Sequence, residues 1–559
     1  MTSQPPISDP ERPSRRLWVR GLWDRLFTGL ASGSVLLIAL ALVVVLAPML
    51  WRGATAVVFK GTVEFRRMQL EQFKRGDPAA VEAEMAEVSR ARQPVYDLLD
   101  RFSRGIATED LVEESRRINR EFGKQLEARD TPAQDRVELR SLAKRLRDDL
   151  MEALEATDKT AALAALGRVL RCADDPCLKG TVADGFFTLA KDSRHVVETV
   201  DLSRRAEYAK TLGEVRDAIK ALFGPRPGEP VPSLDMDRYG ATRWDMAEKQ
   251  LARLLTVEKW VEVQPGRPLQ RVEAPREREF AGTDLAPLFP LMREHAADML
   301  RPERTFYWQY FLDGSLSSHY FGGVGPEILG TLLITLVAIA FSMPLGVISA
   351  AYLVECAGDG RTVHLIRTSI NTLAGVPSIV FGLFGLAFFV IFLLPKFGLP
   401  GISCVLAGGL TLGVLVLPII IRASEEAVRS VPPTYKEAAL ALGASRLRCF
   451  VTVTLPAALP GILTGVILSV SRAAGETAPI LFVAGAAVAA PAWPPWEAMT
   501  RETVTLTYSS YNMAVGDRLA ALVPHNQYGM VTTLILLVLI LNITAILVRS
   551  RVAKRLRGQ

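Results

Sequence analysis

The sequence predicts an all-α integral membrane protein with six transmembrane helices and a mainly helical domain outside the membrane. Two observations support this prediction. Apolar residues crowd into 26–51 and 327–549 of the 559-residue chain, whereas charged residues crowd into 52–326. A membrane-crossing helix needs about 20 consecutive apolar residues, and runs in both apolar regions reach that length. The large charged region falls between the first predicted span and the second.

Net charge and its distribution exclude one class of function. The formal net charge is +6 and the isoelectric point is near 9.0, values that would suit a nucleic-acid-binding protein. Such proteins gather their basic residues on one face or segment. Here the basic residues flank apolar runs instead, as they do in the cytoplasmic loops of membrane proteins.

The first apolar run predicts an uncleaved transmembrane helix. Residues 1–25 form a polar, basic tail, which we expect in the cytoplasm, and 26–51 contain no charge. A secretory signal peptide is the alternative, but its apolar core is shorter and is followed by a small-residue cleavage site.

The charged region 52–326 predicts an extracytoplasmic, mainly helical domain. Leu142, Leu146, Leu150 and Leu154 recur at every fourth position among charges, which is the pattern of an amphipathic helix. Cys172 and Cys177 would suit a disulfide if this domain lies in an oxidising compartment. Two buried, unpaired thiols fit the sequence equally well.

Basic residues between the later spans predict the orientation of the chain. They concentrate in 355–367, in the central loop 423–456 and in the tail 550–559, which the positive-inside rule places in the cytoplasm. Both termini are then cytoplasmic, 52–326 lies outside, and Trp493 and Trp496 form an interfacial belt in the last outer loop. The five later spans are predicted at 328–354, 368–395, 397–421, about 459–490 and 528–548.

The central loop contains a short helix outside the membrane. Pro432 and Pro433 stop the preceding segment, and Thr434 and Glu437 have the T-x-x-E spacing of a capping box. Gly443 stands where a left-handed C-terminal cap is needed. A small capped helix of this kind suits docking in a groove on another protein.

The spacing of this loop resembles the EAA-x3-G-x9-I-x-LP loop of ABC-importer permeases, with Val453 in the usual Ile place. An ordinary capped helix is the alternative, and the capping box alone fits both. The resemblance implies the type I ABC importer permease fold and a coupling helix that seats in a separate ATPase subunit. The coupling positions it implies are Thr434, Glu437, Ala438, Ala439, Gly443, Leu455 and Pro456.

Two ionisable residues interrupt the fifth span. Arg472 and Glu476 are four residues apart, so they share one helix face and can pair. Each ionisable group at membrane depth costs at least about 2.5 kcal/mol, so such groups normally face a bundle interior or a wet pathway. The pair either fixes helix packing or binds an anionic substrate through the guanidinium, which suits tetrahedral oxyanions. Residue chemistry alone leaves both interpretations open.

Two further motifs narrow the resemblance to the PstA type of phosphate permease subunit. The run from Arg472 to Pro479 resembles its RAxGETAP signature, and 375–385 resembles its PSIVFGLFG segment. In the related PstC type, GET is not usually followed by Ala-Pro. The resemblance covers roughly 327–549 and implies a phosphate path lined by Arg472, Glu476 and Thr477. A typical member has only a short connection where this chain has 52–326.

The resemblance also implies the partners. No G-x-x-x-x-G-K-[ST] phosphate loop is present, since Gly123-Lys124 is followed by Gln125. We therefore expect a transport subunit and not an enzyme, with no cofactor or metal on this chain and with ATP and magnesium on a partner. The implied assembly in the bacterial inner membrane contains a PstC-like second permease as heterodimer, two PstB-like ATPases and a periplasmic PstS-like phosphate-binding protein. The alternatives are a sulfate or molybdate permease and a membrane-anchored sensor with a ligand-binding domain.

Overall fold

The computed structural model describes residues 15–106, 108–128, 132–232, 235–261, 270–316, 319–358, 360–399, 401–484, 495–515 and 523–556. Residues 1–14 of the predicted N-terminal tail, Trp493, the side chain of Trp496 and the last three residues of the tail 550–559 lie outside the described part. The chain forms two compact units. The intervening unit is Phe59–Thr305, and the membrane unit consists of the chain up to Val58 and from Phe306 onward.

The intervening unit is mainly helical. Its strands form small two-stranded sheets, including the antiparallel pair β2 (Thr256–Val261) and β3 (Gln270–Pro275), while β1 (Val58–Gly61) pairs with β4 (Glu303–Phe306). Its helices are α2 (Val63–Phe73), α3 (Pro78–Ile106), α4 (Thr108–Ala128), α5 (Ala133–Glu155), α6 (Lys159–Arg171), α7 (Asp184–Thr199), α8 (Arg205–Phe223), α9 (Asp235–Arg238), α10 (Trp244–Leu255) and α11 (Leu288–Leu300).

The apolar stripe predicted from the leucine spacing lies in the core between α4, α5, α6 and α7. Leu146, Leu150 and Leu154 are buried there, and Leu142 packs against them while remaining half-buried. Cys172 follows α6 and is half-buried, whereas Cys177 is exposed. Both are free thiols in the structure, so the disulfide stays a prediction.

Buried charges in the intervening unit are paired. Arg92 on α3 donates from Nη1 to Oε1 of Glu64 on α2 at 2.8 Å, and both side chains are at least 95% buried. The guanidinium also donates to the backbone carbonyls of Met299 and Phe223. The pair thus ties α2, α3, α8 and α11 together and keeps a buried carboxylate compensated.

Within the described residues, six helical spans of the membrane unit are long and apolar enough to cross a membrane: Trp23–Ala54, Gly325–Cys356, Ser378–Lys396, Val405–Arg429, Arg446–Gly475 and Pro524–Arg555. Three of these spans include a π-helical stretch that continues the α-helices given below: Tyr352–Cys356, Leu386–Leu393 and Phe450–Thr454. The prediction of an all-α membrane protein with six spans is therefore confirmed, apart from the short strands. The helices are α1 (Arg15–Ala54), α12 (Gly325–Ala351), α13 (Arg361–Leu373), α14 (Ser378–Gly385), α15 (Leu394–Lys396), α16 (Val405–Arg429), α17 (Pro433–Ala441), α18 (Arg446–Cys449), α19 (Leu455–Gly475), α20 (Ala478–Val483), α21 (Pro495–Ala498), α22 (Leu506–Val515) and, last, α23 (Pro524–Leu556).

Several boundaries differ from those expected. The run 368–395 is not one helix, because α13 ends at Leu373 and Pro377 precedes α14. A residue before proline is pushed out of the helical region, which explains the break. The fourth span does not end at residue 421, since α16 continues to Arg429. The intervening unit is also shorter than 52–326, because the chain from Phe306 onward packs with the membrane unit.

Small residues allow the spans to approach closely. A Cβ on Gly409 of α16 would lie 2.4 Å from Cγ1 of Val337 on α12, and a Cβ on Gly465 of α19 would lie 2.3 Å from Cβ of Ala423 on α16. Helix association in membranes depends on such packing because lipid supplies no hydrophobic driving force. The glycines therefore allow α12, α16 and α19 to pack as one bundle.

Candidate functional site

The candidate site lies where the fifth span breaks. Helix α19 ends at Gly475, Glu476 has extended backbone dihedral angles, and α20 begins at Ala478 with a proline in its first turn. Broken helices at membrane depth are tolerated where the freed backbone lines a cavity or is covered by protein. The sequence motif Arg472–Pro479 is therefore a helix end, a break and a new helix start.

Arg472 and Glu476 form an ion pair, as their spacing predicted. Arg472 donates from Nε to Oε1 of Glu476 at 3.2 Å. The arginine side chain is 43% exposed, whereas the carboxylate side chain is only 19% exposed. Arg472 also lies in the last turn of α19, where a cation interacts favourably with the helix dipole.

This geometry leaves the arginine available to a ligand. Among the described residues, Glu476 is the polar partner of the Arg472 guanidinium, and the contact uses Nε. The two Nη groups can then donate side by side to an oxyanion, the bidentate arrangement that arginine favours. Thr477 directly follows the carboxylate and is half-buried, so the three predicted path residues lie together in sequence and at the break.

Neighbouring helices brace this position. Ser471 donates from Oγ to Oδ1 of Asn542 on α23 at 2.6 Å, one residue before the arginine. Gly382 on α14 lies against Pro479, since a Cβ there would be 2.8 Å from the proline Cα. The segment 375–385 and the segment 472–479 are therefore in direct contact.

The sequence analysis missed a second polar group on the neighbouring α16. The predicted span 397–421 leaves Arg422 outside the membrane, but Arg422 lies inside α16 and donates from Nε to Oδ1 of Asn371 on α13 at 2.6 Å. One turn farther along α16, Glu425 forms an ion pair with Arg367, with 2.9 Å between Oε1 and Nε. The available signal was an arginine directly after an uncharged run, which the span boundary at residue 421 placed outside the membrane.

The central loop 423–456 contains the predicted short helix, but the start of this helix differs from the prediction. The prediction of a capping box formed by Thr434 and Glu437 is wrong. Pro432 is the N-cap of α17, and no side-chain hydrogen bond caps the helix. Pro433 occupies the first helical position, where its fixed φ and missing N–H suit a helix start. The helix therefore begins two residues earlier than a cap at Thr434 requires.

The C-terminal cap of α17 is confirmed. Gly443 has φ of +83°, its N–H bonds the carbonyl of Leu440, and the N–H of Ala444 bonds the carbonyl of Ala439. These are the two hydrogen bonds of a Schellman motif.

Helix α17 presents an open apolar surface. None of its residues is buried, and Tyr435, Leu440 and the following Leu442 are 56%, 46% and 90% exposed. The helix is held from one side, where Lys436 pairs with Glu355 at 2.5 Å. Glu437, Ala438 and Ala439 lie on this helix, and Leu455 and Pro456 begin α19. An exposed, capped helix with apolar side chains is suited to a groove on a partner.

Comparison with known proteins assigns the class of the membrane unit. Residues 342–558 match the model of the family described as "Binding-protein-dependent transport system inner membrane component". This part of the chain therefore resembles the membrane component of such transport systems, and the described residues contain six candidate membrane spans.

The similar curated proteins include the PstA type. The chain is 39% identical over 182 residues to phosphate transport system permease protein PstA 1 of Mycobacterium tuberculosis (strain CDC 1551 / Oshkosh), covering 33% of this chain and 58% of the relative. It is 36% identical over 177 residues to the probable PstA of Methanocaldococcus jannaschii, covering 31% of this chain and 58% of the relative. The permease resemblance is thus confirmed for the membrane unit, and its similarity is to PstA-type phosphate permeases.

Other matches differ in name or are more distant. The chain is 41% identical over 165 residues to the probable ABC transporter permease protein YqgI of Bacillus subtilis, covering 29% of this chain and 54% of the relative. The chain therefore spans a little over half the length of these curated relatives. An inward-facing MetNI methionine ABC transporter chain matches at a TM-score of 0.32 and 19% identity, covering 41% of this chain and 94% of that chain.

Proposed function

We propose that this chain is a permease subunit of an ATP-driven inorganic phosphate importer and that it forms half of the translocation path. One observation carries the proposal: an arginine at a break in the fifth span keeps its side chain 43% exposed while one carboxylate holds it. The similarity to PstA-type permeases supports phosphate as the anion.

In this proposal Glu476 and phosphate bind Arg472 in turn. With the path empty, Glu476 neutralises Arg472 and limits the cost of a charge at membrane depth. An entering phosphate accepts hydrogen bonds from the guanidinium, and the carboxylate turns away because two anions at one cation repel each other. When phosphate leaves, Glu476 returns to Arg472.

One arginine does not neutralise phosphate, which carries one to two negative charges at neutral pH. This charge balance supports a second, PstC-like permease as heterodimer partner, with its own donors facing Arg472. Two PstB-like ATPases would bind ATP and magnesium, and their closure would push on α17 and the exposed Leu442. A periplasmic PstS-like binding protein would deliver phosphate to the outer side.

The basic residues set the proposed orientation in the bacterial inner membrane. The positive-inside rule places the N-terminal tail, α17 and the tail 550–559 in the cytoplasm and 52–326 in the periplasm. That orientation puts α17 on the side where ATP is available.

The purified complex tests the substrate. The ATPase activity of the reconstituted complex should rise with a phosphate-loaded binding protein and should not rise with the same protein free of phosphate. If a sulfate- or molybdate-loaded binding protein stimulates the ATPase and a phosphate-loaded one does not, the substrate is that oxyanion and not phosphate. Full phosphate uptake by a variant lacking the Arg472 guanidinium would favour the sensor alternative.

A further inference from the structure

A rigid segment lies where the chain re-enters the membrane unit, and it exposes apolar side chains. We call residues 306–312 the re-entry platform. Tyr307 and Tyr310 are 4% and 1% exposed, whereas the outward side chains remain uncovered. Those outward side chains are Phe306 at 67%, Trp308 at 51%, Phe311 at 37% and Leu312 at 64% exposed.

Hydrogen bonds hold the platform in place, so the exposure is not that of a loose loop. The N–H of Tyr307 bonds the carbonyl of Val57 at 2.7 Å, and the N–H of Val324 bonds the carbonyl of Tyr310 at 2.8 Å. The phenol of Tyr307 donates to Oδ2 of Asp313 at 2.6 Å. The platform therefore has a fixed inner face of tyrosines and a fixed outer face of apolar side chains.

The platform lies level with the ends of three membrane spans. The carbonyl oxygen of Leu312 would be 2.2 Å from a Cβ on Gly325, the first residue of α12. A Cβ on Gly529, near the start of α23, would be 2.6 Å from both Oη of Tyr310 and Cβ of Ala56, just beyond the end of α1. The apolar outer face is thus at the depth where the spans leave the hydrocarbon.

The surrounding surface is also that of a membrane boundary. Trp51, near the end of α1, is 79% exposed, and Arg52 donates to the phenol oxygen of Tyr528 at 2.9 Å. The most apolar stretch of α1 has no buried residue, and its exposed apolar surface continues up to Trp51. Tryptophan and tyrosine concentrate at membrane–water interfaces because one end of each ring system is apolar and the other is wet.

We propose that the outer face of the re-entry platform inserts into the interfacial layer of the lipid bilayer. Its occupant is the glycerol and upper acyl-chain region of phospholipid, not a second protein. The continuity with the exposed apolar surface of α1 and the position at the ends of three spans favour this occupant. The platform then fixes the depth of the point at which the chain returns from residues 59–305 to the second span.

Quenching of tryptophan fluorescence tests the proposal on the full chain in phosphatidylcholine vesicles. Vesicles with bromine atoms near the top of the acyl chains are compared with unbrominated vesicles for the wild type and for Trp308→Phe. The matched control is Trp244→Phe, which removes a half-buried tryptophan of the intervening unit. We expect the fraction quenched by brominated lipid to fall in Trp308→Phe and not in Trp244→Phe.

A second variant covers the case in which Trp308 is needed for folding. Placing the fluorophore one turn away, in Trp308→Phe with Leu312→Trp, should restore quenching by brominated lipid. The proposal is overturned if Trp308 is quenched by aqueous acrylamide and not by the lipid, which would place the platform in water. It is equally overturned if neither quencher reaches Trp308 in vesicles, which would indicate a protein cover.

Discussion

Gly382 packs directly on Pro479. A Cβ at residue 382 would lie 2.8 Å from the Cα of the proline and 2.9 Å from a ring carbon of Phe482. The two sequence motifs of the membrane unit are therefore in contact through a glycine that leaves room for the backbone of α20. This contact fixes the start of the helix that follows the Arg472–Glu476 pair.

The first prediction concerns this contact. Gly382→Ala should reduce the amount of folded protein in the membrane, because Pro479 Cα is backbone and α14 and α20 must separate to admit a methyl group. Overpacking of this kind costs about 1–3 kcal/mol. The measurement is the detergent-solubilised monodisperse fraction and its thermal midpoint.

Gly475→Ala is the matched control for Gly382→Ala. Nothing lies within 4 Å of a Cβ at residue 475, so that variant should keep the wild-type thermal midpoint. Equal midpoints for the two variants would show that the close approach at Gly382 does not contribute to stability.

The second prediction concerns the cap of α17. Gly443→Ala should leave membrane insertion intact but weaken the coupling of ATP hydrolysis to uptake, because φ of +83° strains any residue with a Cβ by about 1–2 kcal/mol. The helix end and the exposed Leu442 would then shift. The measurement is phosphate uptake per ATP hydrolysed in reconstituted vesicles.

Gly398→Ala provides the control for the Gly443 variant. Gly398 has φ of +72° and, like Gly443, has nothing within 4 Å of a Cβ. The two substitutions create the same kind of strain, but Gly398 lies outside the central loop 423–456. If both variants take up the same amount of phosphate per ATP hydrolysed, α17 has no special role in coupling.

The third prediction concerns the buried pair in the intervening unit. Glu64→Gln should destabilise this unit by about 3–5 kcal/mol, because it leaves the buried Arg92 cation without its counter-ion. The exposed pair Arg194–Glu198 serves as the control, since Glu198→Gln at the surface should cost about 0–1 kcal/mol. Limited proteolysis of the full chain, with cleavage followed within residues 59–305, measures both.

The fourth prediction is a pH dependence at Glu71. Burial alone would raise the pKa of this carboxyl, but hydrogen bonds from Arg67 and Tyr239 outweigh it and hold the pKa below its ordinary value of 4.5. A lowered pKa in the folded state contributes stability above pH 4.5 that is lost as the pH falls through the folded value. Glu71→Gln should therefore destabilise the unit at pH 7 by about 1 kcal/mol.

Acid should remove the effect of the Glu71 substitution. At a pH below the folded pKa of Glu71, wild type and Glu71→Gln both present a neutral side chain and should unfold at the same urea concentration. A difference between them that stays constant from pH 7 into the acid range would mean that the charge of Glu71 is not what stabilises the unit.

Composition and local chemistry were enough to predict the six spans and the ion pair between Arg472 and Glu476. A long uncharged run in a membrane has the helix as its low-energy form. Residues four apart on a helix lie next to each other, whatever the tertiary surroundings. The left-handed conformation of Gly443 was predictable for the same local reason. In each case neighbours in sequence determine the structure.

Tertiary contacts and competing local signals explain what was missed. The partner of Ser471 is Asn542, 71 residues away, and that of Arg422 is Asn371 on another helix. Their separation in sequence hid both contacts. At α17 two start signals competed, and Pro433 at the first helical position prevailed over a cap at Thr434.

The most direct test of the central proposal is phosphate uptake by cells whose high-affinity phosphate system contains this chain. Arg472→Ala is compared with Arg501→Ala, which disrupts an exposed pair with Glu497 of the same four-residue spacing. Losing a charge-assisted hydrogen bond costs about 1.5–3 kcal/mol, so uptake should fall about ten- to a hundredfold in Arg472→Ala. The control should retain wild-type uptake, with equal membrane insertion of all variants verified by blotting. Undiminished uptake in Arg472→Ala would contradict the proposal and leave Arg472 and Glu476 as a packing pair.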